Sequence, residues 1–280
     1  MNAAKDCTLQ EKLLRCAMAL ILAAGALLAS VAASPAYAAP STVDVSIGGK
    51  IPYGGFATTW MSADGNIAYC AEPSSPTPAP GSYSTSPVPS GDVTAAIWYS
   101  FGSPGFDASM FPGSWYDGGG WDDAKYAAAS HVLIAYAYSG SESAATHGTS
   151  AEFASWAKSE LIGGTYSRMK AGAGKVSAGF DAFCVRTGGG SQTLVSFSWS
   201  TGGVKVAKTD SEAGAEPQGD ASLDGASFSV VNETGRYVLV GGKYYADGEV
   251  CATIKTAPED GSHVAATGTD ALPAGSYRIV

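Results

Sequence analysis

Apolar and polar residues alternate with a period of two near the start of the folded part of the chain. Val43-Asp44-Val45-Ser46-Ile47 shows the pattern, and apolar runs bounded by turn residues return at 180–185 and 193–199. Because successive side chains of a strand point to opposite faces, these stretches predict β-strands. Residues 73–89 carry six prolines, which predicts neither a helix nor a central strand there.

Between these strands the apolar residues follow a helical period. Asp122 and Asp123 are predicted to open a first helix, because acidic side chains favour the positive end of the helix dipole. Thr149 and Glu152 have the spacing of a capping box for a second helix, and Gly163 is predicted to end it. The pattern therefore predicts a β-rich domain with a helical insertion.

The last third of the chain has a different composition. All six tryptophans precede residue 200, and Gly202-Gly203 marks the predicted boundary between residues 39–202 and residues 203–280. Short alternating stretches separated by Gly and Asp turns predict an immunoglobulin-like sandwich here. Its predicted strands are Val204–Val206, Ala226–Val230, Val238–Val240, Val250–Ile254 and Tyr277–Ile279.

The N-terminus has the organisation of an export signal. Lys5, Lys12 and Arg15 precede an almost wholly apolar run from Ala17 to Ala33, and Ala36-Tyr37-Ala38 offers a small-x-small cleavage site. Residues 1–38 are therefore predicted to be a secretory signal peptide. The alternative is an uncleaved N-terminal anchor.

Charge narrows the range of partners. Residues 1–38 hold three basic and two acidic residues, so the remaining chain has 13 Lys and Arg against 23 Asp and Glu, a net charge of −10. Such a chain is expected to repel nucleic acid and anionic membranes. No second long apolar run follows, so no membrane attachment is predicted for the mature part.

Three cysteines remain after residue 38: Cys70, Cys184 and Cys251. In an exported protein an odd number leaves at least one of them without an intramolecular disulfide partner. The histidines, at positions 131, 147 and 263, do not have the spacing of a metal site, and no metal or other cofactor is predicted.

Two short segments, 122 positions apart, carry the candidate chemistry. Tyr69-Cys70-Ala71-Glu72-Pro73 opens a proline-rich loop, and Ser191-Gln192-Thr193-Leu194-Val195 leads into an apolar strand. The pair resembles the thioester domains of Gram-positive surface adhesins, over roughly residues 45–200. The resemblance implies that Cys70 and Gln192 form an internal thioester, which a lysine amine opens to leave a stable amide. Such a protein reacts once and is not an enzyme.

The resemblance leaves two points open. Cys184 is an alternative partner for Cys70, in a disulfide that would exclude the thioester. The family also has a Thr-Gln-x-Ala block that opens a helix beside the site, and the aligned residues here are Ser130 and His131. Histidine in place of glutamine is a departure. His131 is predicted to support the site by donating a hydrogen bond or by acting as a base for the amine, or to be an ordinary helix residue.

The second domain resembles the SpaA/Cna-B-like prealbumin-type sandwich of Gram-positive pilins. The resemblance rests on residues 204–210, 217–220 and 223–230, and on Leu272-Pro273-Ala274-Gly275-Ser276-Tyr277 near the end. It implies that Lys208 is the donor of an isopeptide bond, because a lysine pointing inward from a strand loses solvation and its neutral amine can attack. The alternative is a surface lysine on an edge strand. The family's catalytic Glu and acceptor Asn would fall beyond Val280, so the sandwich is expected to be incomplete.

Together these features predict a mainly β, secreted bacterial surface adhesin. Its thioester domain would bond to an amine on a host or neighbouring surface, and a cell-wall anchor and further stalk domains are expected beyond residue 280. One alternative is a module that binds peptide or glycan noncovalently, stapled by Cys70–Cys184 and without a live thioester. Another is a purely structural pilus tip or spacer.

Overall fold

The structure is a computed structural model that describes residues 39–210, 222–260 and 262–280. The predicted signal peptide, residues 1–38, lies outside the described residues. So do residues 217–220, one of the segments that resemble the pilin sandwich.

The first part of the chain is built on a closed barrel of six strands. Around the barrel the strands follow the order β1-β2-β3-β6-β5-β4, and every neighbouring pair is antiparallel. Their bounds are β1 (Thr42–Tyr53), β2 (Phe56–Ala63), β3 (Asn66–Cys70), β4 (Gly81–Pro87), β5 (Phe180–Arg186) and β6 (Leu194–Trp199). The prediction of a mainly β fold with a helical insertion is confirmed.

The two faces of the barrel strands belong to different cores. Val45, Met61, Cys70, Val185 and Leu194 are buried together inside the barrel. The residues next to them along the strands point outward and pack against the helices, as the two-residue period of a strand requires. The barrel strands other than β4 therefore separate an inner apolar cluster from an outer one.

The proline-rich segment contains a strand that the sequence did not predict. β4 lies between β1 and β5 and pairs with both. The prolines do not interrupt it, because residues 81–86 are free of proline and Pro87 is the last residue of the strand. The prediction that residues 73–89 hold no central strand is therefore wrong for this six-residue window.

All helices of the first part lie between β4 and β5 and cover the outside of the barrel. The longest, α2, begins after Asp122, whose side chain accepts a hydrogen bond from the Lys125 N–H (2.9 Å), and it ends at Gly140 in the left-handed region. The helical segments are α1 (Gly91–Trp98), a 3-10 turn (Ala108–Met110), α2 (Asp123–Ser139), α3 (Glu142–Ala145), α4 (Ala151–Trp156), a π-helix (Ala157–Tyr166), α5 (Ser167–Ala171) and a second 3-10 turn (Ala173–Lys175).

The predicted ends of the second helix are both corrected. Ser150, not Thr149, is the N-cap of α4, and its hydroxyl accepts from the Phe153 N–H (3.2 Å). Gly163 does not end the helix, because the backbone widens into the π-helix and continues to Ala171. A wider turn accommodates a glycine that would end a regular α-helix.

The second part of the chain is made of short strands around a separate core. Two three-stranded sheets, β12-β9-β16 and β13-β14-β8, are joined by the pairs β10-β11 and β7-β15. Val230, Val238, Ile254, Ala265 and Tyr277 are buried in this core. The strands are β7 (Thr201–Gly202), β8 (Lys205–Lys208), β9 (Ser227–Asn232), β10 (Val238–Val240), β11 (Lys243–Tyr245), β12 (Val250–Lys255), β13 (Ala257–Glu259), β14 (Ser262–Ala266), β15 (Leu272–Pro273) and β16 (Tyr277–Ile279).

The two parts are in contact beside the predicted boundary. β7 follows β6 directly and pairs with β15 of the second part. The Trp98 indole N–H donates to the Tyr244 hydroxyl (3.0 Å), and the Ala178 N–H donates to the Tyr237 carbonyl (2.8 Å). None of the described helices is long and apolar enough to cross a membrane.

Gly54, in the turn between β1 and β2, should be sensitive to substitution. Its φ is +53°, and an added Cβ would lie 2.4 Å from the Phe153 ring. Gly54→Ala should lower the free energy of unfolding by about 1–3 kcal/mol more than Gly65→Ala, as measured by urea denaturation. Gly65 also has a positive φ, +81°, but nothing lies within 4 Å of the added carbon. Equal losses in the two variants would contradict this steric account.

Candidate functional site

Cys70 is the last residue of β3, and its side chain points into the barrel. The backbone pairs with Leu194 of β6, and the residue is 3% exposed. The Cys70 N–H has no strand partner on its other side and donates to Nδ1 of His131 (3.1 Å). The Cys70 backbone is thus held by the sheet on one side and by helix α2 on the other.

Gln192 lies two residues before β6 and is 4% exposed. The Cys70 thiol contacts its side-chain carbonyl oxygen, Oε1. The amide nitrogen lies 3.9 Å from the Met61 sulfur, which is a weak acceptor. The carbon that a thioester would join to sulfur is directly bonded to Oε1. The structure therefore places the two residues, 122 positions apart, in direct side-chain contact.

Three hydrogen bonds hold the cysteine segment against the glutamine segment. The Ala71 N–H donates to the Thr193 carbonyl (2.9 Å), and the Gln192 N–H donates to the Pro76 carbonyl (3.0 Å). The Glu72 carboxylate accepts from the Thr193 N–H (2.8 Å). Charge-assisted bonds of this kind are shorter and stronger than neutral ones, so Glu72 fixes the residue that follows Gln192.

Burial controls the ionisation of the Cys70 thiol. Desolvation raises its pKa to about 12, and the nearby Glu72 carboxylate adds to the rise. The Glu72 backbone N–H acts in the opposite direction, because it hydrogen-bonds to the sulfur. The free thiol is therefore protonated at neutral pH, and one backbone donor is in place for negative charge on the sulfur.

His131 is a buried, neutral imidazole. It is 2% exposed, and desolvation lowers its pKa to about 3, against a smaller opposing effect of a hydrogen bond with the Thr59 backbone. Because Nδ1 accepts from Cys70, the hydrogen of the neutral ring is on Nε2. The Thr58 hydroxyl lies 3.3 Å from the ring. The expectation of a donor is thus corrected: towards Cys70 His131 is an acceptor, and its low pKa makes it a poor base.

Ser130 supports the site indirectly, through Tyr69 and Phe101. Its hydroxyl accepts from the Phe101 N–H (3.1 Å) and hydrogen-bonds to the Tyr69 phenol. Tyr69 also donates to the Phe101 carbonyl, and its ring packs edge-on against His131, with 4.9 Å between the ring centroids. Ser130 therefore fixes the residue before Cys70 and contacts neither Cys70 nor Gln192 among the hydrogen bonds of the described residues.

The structure corrects the disulfide alternative. Cys70, Cys184 and Cys251 are all free thiols. Cys184 pairs with Val195 on one side of β6 and points to the outer core, whereas Cys70 pairs with Leu194 on the other side and points inward. Two strand spacings put their Cα atoms about 10 Å apart. A disulfide tolerates no more than about 7 Å.

A cavity of about 350 Å³ gives access to Cys70 and Gln192. The proline-rich loop forms one wall through residues 73–77, and the other residues come from the barrel and the helices. No side chain that lines it carries a formal charge when its histidines are neutral. Its remaining lining residues are Tyr53, Phe56, Ala57, Thr58, His131 and His147.

Several site residues were not assigned a role from sequence. Tyr53 ends β1, Phe56 begins β2, and His147 lies after α3, so only the fold brings them to the cavity. The sequence does single out Glu72, because it is a lone charged residue directly after an apolar cysteine segment.

Lys208 is remote from this cavity. It ends β8, an edge strand of its sheet, where it is half-buried and in register with His263 of β14. Its role as an isopeptide donor stays a prediction. Among the described residues, no group of three or more His, Cys, Asp or Glu side chains is placed to hold a metal ion.

Comparisons with known proteins point to thioester domains. Two solved structures are similar: the Bacillus anthracis TIE protein (12% identity, TM-score 0.36, 85% of this chain and 59% of that chain) and the thioester domain of the Enterococcus faecium TIE86 protein (10% identity, TM-score 0.33, 87% and 96%). The chain thus spans less than two thirds of the first. No curated protein matches it by sequence. The family model described as a thioester domain matches residues 42–168, which include Cys70, Ser130 and His131. Residues 42–168 of the chain are thus similar to the thioester domain family.

Proposed function

We propose that the chain is a covalent surface adhesin, in which Cys70 and Gln192 form an internal thioester that captures an amine. The observation that carries the proposal is the contact between the Cys70 thiol and the Gln192 side-chain carbonyl, with both residues at most 4% exposed. The match of residues 42–168 to the thioester domain model supports the same chemistry.

The thioester forms when the Cys70 sulfur replaces the amide nitrogen of Gln192. The Cys70 sulfur attacks the side-chain carbonyl carbon of Gln192, the C–N bond breaks, and ammonia leaves with the thiol proton. The Gln192 amide nitrogen has only the weak Met61 acceptor among its described hydrogen-bond partners, so little holds it in place. The hydrogen bonds through Ala71, Glu72 and Pro76 keep the reacting atoms together.

Capture is the reverse exchange with a different amine. An amine nitrogen attacks the same carbonyl carbon, an N–C bond forms, the C–S bond breaks, and a proton returns to the sulfur. The product is an amide, which does not reverse under ordinary conditions. The backbone N–H of Glu72 can stabilise the departing sulfur. Without an incoming amine, the high pKa of the thiol makes the C–S bond slow to break.

The cellular setting is part of the proposal. The predicted signal peptide, the odd number of cysteines and the acidic mature chain support secretion to a bacterial surface. The target is then a lysine amine on a host or neighbouring surface. The second part of the chain serves as a stalk module, with the predicted Lys208 isopeptide, further stalk domains and a cell-wall anchor as untested elements.

Intact mass provides the direct test of the thioester. Purified residues 39–280 should weigh one ammonia less than the sequence requires, and methylamine should raise the mass by one methylamine. Cys184→Ala should behave in the same way, because that thiol points to the opposite face of the sheet. Cys70→Ala should have the full sequence mass and be inert to methylamine. If the wild-type protein has the full mass of its sequence and does not react with methylamine, the proposal is wrong.

His131 should make the fold sensitive to acid. In the unfolded chain the imidazole titrates near 6.5, and in the fold its pKa is about 3. Between these values only the unfolded chain binds the proton, so this contribution is fully present above pH 6.5 and lost as the pH falls. The free energy of unfolding should fall by up to about 1.4 kcal/mol per pH unit in this window.

The control for this acid sensitivity is His131→Gln, which keeps an acceptor for the Cys70 N–H and does not titrate. Both proteins are best compared in a Cys70→Ala background, where no thioester contributes to stability. Urea denaturation across the window should give a steeper loss for the protein with His131. Parallel pH profiles would show that His131 is not the acid-sensitive group.

A further inference from the structure

A second histidine lines the cavity that leads to the thioester residues. His147 follows helix α3, is exposed to solvent, and lines the same cavity as Cys70 and Gln192. Its ring packs edge-on against Phe56, with 6.4 Å between the centroids and 82° between the planes. Among the described residues it has no side-chain hydrogen bond in the structure, so its ring nitrogens are available to a molecule that enters the cavity.

The local backbone keeps His147 at this place. Its N–H donates to the Ala144 carbonyl (3.3 Å), and the next residue, Gly148, has a φ of +74°. A Cβ on Gly148 would lie 2.5 Å from the Phe56 ring, so glycine lets the turn approach that ring closely. The turn therefore holds His147 against Phe56 at the cavity, and no described hydrogen bond occupies its ring nitrogens.

Aminolysis of a thioester requires a proton acceptor in this cavity. A lysine amine is protonated at neutral pH, and its nitrogen must shed protons before and during attack on the carbonyl. The departing sulfur accepts one proton only after the C–S bond has broken. A base that receives the proton earlier lowers the barrier.

The other ionisable lining residues are unsuited to this role. Desolvation lowers the pKa of His131 to about 3, and its Nδ1 already accepts from Cys70. Burial raises the pKa of the Tyr53 phenol well above its usual range, so it keeps its proton. The remaining polar lining residues are hydroxyl side chains and the reacting Gln192 itself. Imidazole is the side chain that exchanges protons near neutral pH, and His147 is an exposed imidazole that lines the cavity.

We propose that His147 is the general base that accepts a proton from the incoming amine. The step rests on the proposed thioester. As the amine nitrogen bonds to the Gln192 carbonyl carbon, the proton passes from that nitrogen to the His147 imidazole, and the C–S bond breaks. The imidazolium then returns the proton, directly or through water, to the Cys70 sulfur.

The experiment measures how fast methylamine consumes the thioester, followed by intact mass on residues 39–280. His147→Ala should still form the thioester, because His147 contacts neither Cys70 nor Gln192 in the hydrogen bonds of the described structure. Its reaction with methylamine should be on the order of 100-fold slower, within the usual range of general-base catalysis. Added imidazole should restore part of the rate in proportion to its concentration.

Two control variants separate catalysis from packing. His147→Phe keeps an aromatic ring against Phe56 but has no base, so it should be as slow as His147→Ala. His263→Ala makes the same chemical change in the second part of the chain and should react at the wild-type rate. A wild-type rate in His147→Phe, or in His147→Ala, would overturn the assignment.

The mass before treatment distinguishes the two levels of the proposal. If the wild-type protein has its full sequence mass, the thioester itself is absent and the proposed function fails. If the mass is lower by one ammonia in wild type and in both His147 variants, and all three react equally fast, the thioester stands and only the role of His147 is refuted. A slow His147→Ala that imidazole leaves slow would also count against general-base catalysis.

Discussion

The pairing of β3 with β6 is the interaction on which the site depends. It sets Tyr69 opposite Val195 and Cys70 opposite Leu194, which brings two chain segments 122 positions apart to one end of the barrel. A register shift of one residue would turn Cys70 out of the barrel and Tyr69 into it, because the side-chain period of a strand is two. The closed barrel and the helices on its outside resist such a shift, since both faces of these strands are buried in packed cores.

The environment that this pairing creates buries the reacting side chains. Desolvation leaves the Cys70 thiol and the His131 imidazole uncharged, and the Cys70 N–H donates to the imidazole. Such surroundings protect an activated acyl group from water while giving no stabilisation to a charged amine. Removal of a proton from the incoming amine would therefore limit the rate at this site as much as the strength of the thioester C–S bond.

Much of the fold and the central pair of residues could be predicted from the sequence. Alternation predicted most of the strands, and the resemblance of two segments to thioester domains singled out Cys70 and Gln192, which the structure places in contact. β4 was missed because proline content was averaged over seventeen positions, although its own six-residue window has none. The disulfide alternative failed because sequence distance cannot tell on which face of a sheet a cysteine lies. His147, Tyr53 and Phe56 share no local pattern, and only the closure of the barrel gathers them.

The continuity of β6 into β7 has a mechanical consequence. β7 pairs with β15, so tension applied to the second part of the chain passes through β7 into the strand that follows Gln192. β6 lies between β3 and β5, and its ladder hydrogen bonds run perpendicular to the direction of pull. The two ladders then share the load in shear. A bond between Cys70 and Gln192 would lie at the far end of the loaded strand and would prevent β6 from sliding along β3.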